Sequence, residues 1–246
     1  MSKTRDMESR TTVHTYTADQ VQAAEQPLLG AGEPLMDRAA SALAEIVVEL
    51  LLETQQNSTA RVLVLVGSGN NGGDALFAAS KLGEDVPGCS VDLLTVADRW
   101  HEAGLQAALA SGARLISETE AMETPYDLII DGILGIGTSG NPNLRGAARR
   151  VVESLLPQTR TGRATAVAVD LPSGLHPDTG VADDVVLPAT VTVTFGAVKA
   201  GLATGRGPEL AGRLVLVLIG IEPQLETLTP VGVTEVARVI DRRARP

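Results

Sequence analysis

The stretch that most constrains the fold of this chain runs over residues 61–82, with the sequence RVLVLVGSGNNGGDALFAASKL. Residues 62–66 form a short, wholly apolar run rich in β-branched side chains, which is typical of a strand buried on both faces of a parallel sheet. Glycines and two asparagines follow up to Asp74, and apolar residues then recur at helical spacing over residues 75–82. A strand, a glycine-rich turn and a helix in this order can present backbone N–H groups and a helix N-terminus to an anionic ligand.

The remaining segments extend this unit into a whole fold. Strand-like apolar runs alternate with helix-like periodicity, which predicts a three-layer α/β/α sandwich, Rossmann-like, with a mainly parallel central sheet. We expect the last two strands to form an antiparallel edge, because no clear helix joins them. The predicted strands span residues 62–66, 91–96, 113–116, 127–131, 164–170, 190–195 and 213–219, and the predicted helices span residues 17–25, 34–53, 75–82, 101–111, 147–156 and 234–242.

Charge and composition argue against several classes of partner. The formal net charge is −10 and only 2% of the residues are aromatic, so we expect neither nucleic acid nor a membrane surface as a partner. The single cysteine, Cys89, excludes a disulfide within one chain and fits a reducing cytoplasm. The polar N-terminus is not a secretory signal. We expect residues 1–15 to be a disordered tail and residues 16–246 to form a single domain, with a terminal linker or helix over about residues 222–246.

Two acidic residues stand where predicted strands end. Asp131 and Asp170 each close a buried run, and ligands bind at the carboxyl ends of the strands in parallel sheets. Together with Asn71 and Ser173, they form an oxygen-rich cluster that suits a hard cation, either monovalent or divalent. A cap on the following turn is the structural alternative for Asp131. Asp170 is also a candidate general acid/base, because burial at a strand end can tune its pKa.

The glycine-rich turn also matches the dinucleotide pattern G-x-G-x-x-G over residues 67–72. With Asp98 as a ribose-binding acid, this pattern leaves an NAD(P)-dependent dehydrogenase open as an alternative. Asp74 argues against that geometry, because a carboxylate in the first turn of the helix repels a diphosphate. Its position suits hydrogen bonding to hydroxyl groups, or a local cap. Lys199, which follows the strand predicted over residues 190–195, either neutralises a phosphate or faces solvent.

Three motifs in a fixed order are far more specific than the glycine pattern: GNNGGD at residues 69–74, DLPSG at 170–174 and TFGAVKAG at 194–201. With these motifs, over about residues 16–221, the chain resembles the NAD(P)H-hydrate epimerase family, the YjeF N-terminal domain. The resemblance implies a Rossmann-like isomerase that interconverts the R and S epimers of hydrated NADH and NADPH, for repair of the nicotinamide cofactor. The expected functional partner is an NAD(P)H-hydrate dehydratase, separate or fused, and we expect a homodimer.

The resemblance also implies roles for individual residues. Asp170 is the expected catalytic acid/base, with Lys199 as a weaker candidate. A potassium ion is the expected cofactor, because Asn71, Asp131 and Ser173 match the family's potassium ligands. The expected substrate-binding residues lie in two glycine-rich stretches and at the end of a strand: Asn70, Asn71, Gly72, Gly73, Asp74, Gly135, Ile136, Gly137, Thr138, Ser139, Gly140, Asn141 and Asp170.

Two positions depart from the family's usual pattern. Ala75 stands where the family usually has glycine, and Gly132 stands where alanine is common; both are exchanges of one small residue for another and should leave the loops intact. A further alternative is a non-catalytic ligand-binding or scaffold module, as in related domains of some RNA-decapping factors. That alternative predicts eroded polar loops, whereas the asparagines of the turn and both strand-end acids are present in this chain.

Overall fold

The computed structural model describes residues 10–53, 60–86, 88–138 and 140–243 of this chain. The strands are β1 (Thr11–Tyr16), β2 (Arg61–Val66), β3 (Ser90–Thr95), β4 (Arg114–Leu115), β5 (Leu128–Gly132), β6 (Thr165–Val169), β7 (Val191–Phe195), β8 (Val198–Lys199), β9 (Arg213–Leu218), β10 (Gly232–Val236) and β11 (Arg238–Asp241). The helices are α1 (Ala18–Gly30), α2 (Leu35–Glu53), α3 (Asn70–Asp85), α4 (Glu102–Ala110), α5 (Glu118–Glu123), α6 (Gly146–Arg160), α7 (Ala200–Ala203), α8 (Gly207–Leu210) and α9 (Glu222–Leu225). In the described part of the chain, no helix is long and apolar enough to cross a membrane.

The central sheet contains eight strands in the order β11-β9-β7-β6-β5-β2-β3-β4. Each neighbouring pair in this sheet is parallel. Helices cover both faces, so the predicted three-layer sandwich with a mainly parallel sheet is confirmed. All carboxyl ends of these strands therefore lie along one edge of the sheet, where ligands bind in folds of this kind.

The two faces of β2 show why the flanking helices pack where they do. Val62, Val64 and Val66 join the apolar core formed with α2, α3 and α4, whereas Leu63 and Leu65 join the core formed with α5 and α6. Side chains alternate between the two faces of a strand, so an uninterrupted apolar run can feed both layers at once.

The N-terminal prediction was wrong for part of its range. Residues 1–9 lie outside the described residues, but residues 11–15 belong to strand β1 (Thr11–Tyr16) rather than to a disordered tail. This strand pairs antiparallel with β10 and parallel with β8 in a small three-stranded sheet. Thr15 and Tyr16 are buried there, so the segment is ordered by pairing with residues that are distant in sequence.

The predicted antiparallel edge was also wrong. Strands β7 and β9 are parallel, with Val193 opposite Val215. The connection between them contains β8 and the short helices α7 and α8. It returns the chain from the carboxyl end of β7 to the amino end of β9. These two four-residue helices are too short to give a clear periodicity in the sequence.

The predicted C-terminal helix over residues 234–242 does not form. Two strands replace it: β10 pairs with β1, and β11 pairs with β9 at the edge of the central sheet. This segment is rich in β-branched residues, and two sheet edges with unpaired backbone groups are available to it. Pairing with those edges outweighs the amphipathic pattern that predicted a helix, so the segment forms strands.

Candidate functional site

A cavity of about 220 Å³ lies along the carboxyl edge of the central sheet. It is walled by the first two helices, the start of α3 and the ends of the central strands. The lining residues are Glu25, Leu29, Leu35, Met36, Ala39, Asn70, Asn71, Asp74, Ile136, Asp170, Phe195 and Ile219. The cavity therefore lies where the sequence predicts a ligand site, and five of the predicted substrate-binding residues line it.

The glycine-rich turn lets α3 begin directly against the sheet. The helix starts at Asn70, five residues earlier than predicted, with Gly69 as its N-cap. A Cβ atom at Gly67 would lie 1.8 Å from the carbonyl oxygen of Ile133, and one at Gly72 would lie 2.2 Å from the carbonyl oxygen of Gly67. Only glycine fits at these two positions, because neighbouring backbone occupies the space of a side chain.

The amide of Asn71 ties the start of α3 to the neighbouring loops. Its Nδ2 atom donates to the carbonyl oxygens of Val169, at 2.5 Å, and of Leu134, at 3.1 Å. Gly135 packs against this amide, since a Cβ atom there would lie 2.5 Å from Asn71 Oδ1. Asn71 therefore connects three of the loops that form the carboxyl edge.

Asp131 and Ser173 are in direct contact. Ser173 Oγ donates to Asp131 Oδ1 at 2.6 Å, and the backbone N–H of Ser173 donates to Oδ2 at 2.9 Å. Asp131 also accepts from the N–H of Ile133 at 3.3 Å, so it does close the following turn. Burial raises the pKa of the Asp131 carboxyl group, and the hydrogen bonds from Ser173 and Ile133 act in the opposite direction.

Asp170 is held in an unusual backbone conformation at the end of β6. Its φ is 68°, and it is the one non-glycine residue with positive φ among the described residues. Such a conformation costs energy and is concentrated at functional sites. Its Oδ1 atom accepts from the backbone N–H of Phe195 at 3.0 Å, from Thr194 Oγ1 at 3.1 Å and from Lys199 Nζ.

Lys199 does not face solvent, contrary to one of the two interpretations of the sequence. The residue is 1% exposed, and its Nζ atom also donates to the carbonyl oxygen of Phe195 at 2.8 Å and to Thr194 Oγ1 at 3.3 Å. It is not among the residues that line the cavity. The ammonium group therefore contacts Asp170, which lines the cavity, and does not line the cavity itself. This position favours a role in holding that carboxylate over contact with a phosphate.

Asp74 and Glu25 add two further carboxyl groups to the cavity wall. Asp74 lies beyond the first turn of α3, contrary to the sequence prediction, because the helix begins at Asn70. No described residue forms a hydrogen bond with its side chain, so a local cap does not explain it. Burial, followed by the charges of Asp170 and Glu25, raises the pKa of Asp74 well above its usual value, with Lys199 acting in the opposite direction. Sequence reasoning missed Glu25, because nothing in the helix near residue 25 shows that α1 reaches the strand ends.

Of the other predicted substrate-binding residues that the structure describes, some line the cavity and some lie outside its wall. Gly72 and Gly73 lie in the first turn of α3, and a Cβ atom at Gly73 would lie 2.9 Å from Met36 Cε. Ile136 opens a 3₁₀ turn over Ile136–Thr138 and lines the cavity, whereas Gly137, Gly140 and Asn141 are exposed. Ser139 lies outside the described residues. The apolar wall residues Leu35, Met36, Phe195 and Ile219 were not predicted, although Phe195 belongs to the TFGAVKAG motif.

The two departures from the family pattern meet in space. A Cβ atom at Gly132 would lie 2.7 Å from the Cβ atom of Ala75 and 2.9 Å from the carbonyl oxygen of Asn71. The space between β5 and α3 therefore holds one methyl group. In this chain the methyl group belongs to the helix, and in the usual family pattern it belongs to the strand, so we expect the two exchanges to compensate one another in part. The carbonyl oxygen of Asn71 must still shift when a Cβ atom stands at residue 132.

A parallel α/β sandwich with a cavity of acidic, amide and apolar side chains at the carboxyl edge, beside a glycine-rich turn, defines a Rossmann-like ligand-binding protein. The model of the family described as YjeF-related protein N-terminus matches residues 32–201. This chain therefore belongs to the YjeF N-terminal family. Its fold is similar to that in the crystal structure of yeast ynu0, YNL200c, with a TM-score of 0.70 and 19% identity over 89% of this chain and 96% of that chain.

Relatives with higher identity carry specific names. The NAD(P)H-hydrate epimerase of Microbacterium testaceum is 51% identical over 93% of this chain and 87% of its own length. The NAD(P)H-hydrate epimerase of Clavibacter michiganensis is 47% identical over 84% of this chain and 90% of its own length. The bifunctional NAD(P)H-hydrate repair enzyme Nnr of Mycobacterium tuberculosis is 41% identical over 85% of this chain, which matches 42% of that protein.

Proposed function

We propose that this protein is an NAD(P)H-hydrate epimerase, an isomerase that interconverts the R and S epimers of hydrated NADH and NADPH. The names and the extent of its relatives support this function. The structural observation that carries it is the position of Asp170, a carboxylate held by Lys199 in the wall of a cavity beside the GNNGGD turn. The chain thereby acts in repair of the nicotinamide cofactor.

Asp170 supplies the acid/base chemistry in this proposal. The reaction requires reversible loss and return of the hydroxyl group on C6 of the hydrated ring, so an acid/base must lie beside that carbon. Three donors hold Oδ1 of Asp170, whereas no described residue donates a hydrogen bond to its Oδ2. Oδ2 is therefore the atom that can exchange a proton with the substrate.

The start of α3 binds the substrate beside this carboxylate. Asn70, Asn71 and Asp74 line the cavity, and the apolar side chains of Met36, Phe195 and Ile219 give it a hydrophobic wall. Such a mixture of a few polar groups and an apolar wall is typical of sites for small organic ligands. The hydrated nicotinamide ring fits this chemistry, because it combines hydroxyl and amide groups with an apolar ring edge.

The residues predicted to hold potassium offer a suitable set of oxygen atoms. Asp131 and Ser173 are in contact, and the amide of Asn71 is oriented by two hydrogen bonds from its nitrogen, which leaves Oδ1 as its ligand atom. These groups include one carboxylate and two neutral oxygens, which suits a weakly bound monovalent cation better than a tightly held divalent one. A bound potassium ion would supply positive charge that offsets the acidic cavity and stabilises the loops for an anionic substrate.

We also propose a partner enzyme, an oligomeric state and a cellular compartment for this protein. The expected partner is an NAD(P)H-hydrate dehydratase, in line with the bifunctional repair enzymes among the relatives. We further propose a homodimer in the cytoplasm, where nicotinamide cofactors are used and a single free cysteine is stable in the reduced form.

A coupled assay tests the function. The purified protein is incubated with the R epimer of hydrated NADH or NADPH and with a separate dehydratase that accepts only the S epimer. Recovery of the nicotinamide absorbance faster than with dehydratase alone is the expected result. Recovery at the same rate with and without the protein, for both cofactors, would contradict the proposal.

A further inference from the structure

Asp74 is a buried carboxyl group that faces the cavity without a partner. It is 6% exposed and lines the cavity from α3. Within the described residues, nothing donates a hydrogen bond to its side chain and no Lys or Arg forms an ion pair with it. Because no described protein group satisfies this carboxyl and it opens onto the cavity, its position points to contact with a ligand.

Glu25 approaches the same cavity from α1 and is partly exposed to solvent. Burial raises the pKa of Glu25; the charge of Lys199 lowers it, and that of Asp170 raises it. The charge of Glu25 in turn raises the pKa of Asp74, whereas the Asp170 carboxylate accepts a hydrogen bond from the ammonium group of Lys199. Among the described residues, the cavity thus combines one carboxyl group without a cationic partner, Asp74, with one that is paired to a buried lysine, Asp170.

Inversion at C6 needs both kinds of group. The hydroxyl group leaves from one face of the ring after gaining a proton, and a water molecule adds to the other face while losing a proton. A single carboxyl group cannot reach both faces of a ring that stays bound. The chemistry therefore requires two acid/base groups on separate walls of the cavity.

Resting on the proposed function, we infer that Asp74 is the second acid/base, serving the ring face that Asp170 does not reach, and that Glu25 is a positioning residue that returns protons between Asp74 and solvent. These groups come from three different elements, α3, the end of β6 and α1, and all three line the cavity. Neither Glu25 nor its segment lies within residues 32–201, which the family model matches.

Inversion at C6 needs only the hydrated ring, water and the two carboxyl groups. Asp74 donates its proton to the C6 hydroxyl, the C–O bond breaks with its electron pair leaving on water, and the lone pair of the ring nitrogen forms a C=N bond. Water then adds to C6 from the other face, the C=N pair returns to nitrogen, and Asp170 takes the released proton. Before the next turnover in the same direction, Asp170 releases its proton to solvent and Asp74 regains one through Glu25. The reverse reaction uses the two groups in exchanged roles. The acidic wall also stabilises the cationic ring between the two steps.

Labelled water separates the two faces. The full chain is incubated with the pure R or pure S epimer in H₂¹⁸O, and both inversion and uptake of label at C6 are measured and corrected for the uncatalysed rates. For Asp74→Asn we expect inversion to fall about 100-fold or more in both directions. One of the two epimers should still exchange its hydroxyl oxygen without inverting, because Asp170 remains active on its own face.

Glu25→Gln tests the positioning role, with Asp19→Asn as a control on the exposed side of the same helix. We expect Glu25→Gln to lower kcat about tenfold with KM changed less than twofold, because proton return is slowed while binding is kept. Asp19→Asn should match the parent in both parameters.

Two results would overturn the inference for Asp74: inversion by Asp74→Asn within threefold of the parent, or loss of label exchange for both epimers alike. A parent-like kcat for Glu25→Gln would show that Glu25 does not return protons to Asp74. If the parent itself inverts neither epimer, the proposed function fails instead, so the two failures are distinguishable.

Discussion

Lys199 Nζ donates a hydrogen bond to Asp170 Oδ1, and the side chains of the two residues are 1% and 6% exposed. This ion pair lies behind the cavity wall, with Asp170 facing the cavity and Lys199 hidden from it. In a buried pair of this kind, removal of one partner leaves an uncompensated charge in the interior. The same contact therefore contributes to the stability of the protein and holds its proposed catalytic group in place.

The first prediction concerns stability. Lys199→Ala should lower the free energy of unfolding by about 3–5 kcal/mol, because it leaves the Asp170 carboxylate buried without its cation. The double variant Lys199→Ala/Asp170→Asn should recover part of this loss. Urea unfolding measures both values. Lys81→Ala, which breaks an exposed pair with Asp37, serves as the control and should cost less than about 1 kcal/mol. A loss for Lys199→Ala no larger than this control would contradict the structure.

The second prediction concerns catalysis. Asp170→Asn should lower kcat for epimerisation by about 10²–10⁴-fold, because the amide cannot exchange the proton. Asp184→Asn changes an exposed carboxylate and should leave the rate unchanged. Circular dichroism checks that both variants are folded. Equilibration of the epimers by Asp170→Asn at nearly the parent rate would end the acid/base assignment.

The third prediction tests the compensating pair. Gly132→Ala should destabilise the protein by about 1–3 kcal/mol, because its methyl group meets that of Ala75. Ala75→Gly/Gly132→Ala should recover at least half of the loss, since only one methyl group then occupies the space. Gly137→Ala is the control, because a Cβ atom there meets no atom within 4 Å. Strictly additive effects of the two exchanges would show that the positions are independent.

The fourth prediction follows from the raised pKa of Asp74, which burial causes first and the charges of Asp170 and Glu25 add to. A raised pKa means that the folded state holds the proton of the Asp74 carboxyl more tightly than the unfolded state does. The stabilisation that results is fully present below the usual pKa of an aspartate, and it is lost as the pH rises through the raised pKa of the folded state. Asn cannot ionise. Asp74→Asn should therefore gain stability over the parent as pH increases, by about 2–4 °C in Tm for each kcal/mol.

Thermal unfolding at pH 4, 6 and 8 measures this gain. The difference in Tm between Asp74→Asn and the parent should be smallest at pH 4 and largest at pH 8. A difference that does not change with pH would show that the carboxyl group titrates normally. Asp98→Asn, at an exposed position, should show no such trend.

The fifth prediction concerns the ion. Activity should be highest in potassium, lower in sodium and lowest in a bulky organic cation, because the oxygen atoms of Asn71, Asp131 and Ser173 suit a monovalent ion of limited size. Asp131→Asn should weaken substrate binding and reduce the difference between the cations without unfolding the protein. Equal activity of the parent in all three salts would contradict the ion, while leaving the epimerase proposal in place.

Local patterns in the sequence were sufficient to predict the sheet and the place of the site. A buried apolar strand, a glycine-rich turn and a helix form a unit that can be predicted from residues adjacent in sequence. Because the strands are parallel, their carboxyl ends lie on one edge, and this brings Asp131 and Asp170 to the same side of the sheet as Asn71. The order of the motifs was specific enough to predict the family.

Contacts between distant residues decided the rest. The strands β1, β10 and β11 form because sheet edges are available to them, and no local pattern shows which edges exist. Glu25 reaches the cavity through the packing of α1, and Lys199 is buried because its ammonium group finds Asp170 and a carbonyl oxygen. The sequence by itself determined which chemical groups the protein carries to the edge of its sheet. The tertiary structure decided which of them lose water and which face one another, because desolvation and charge pairing depend on the whole fold.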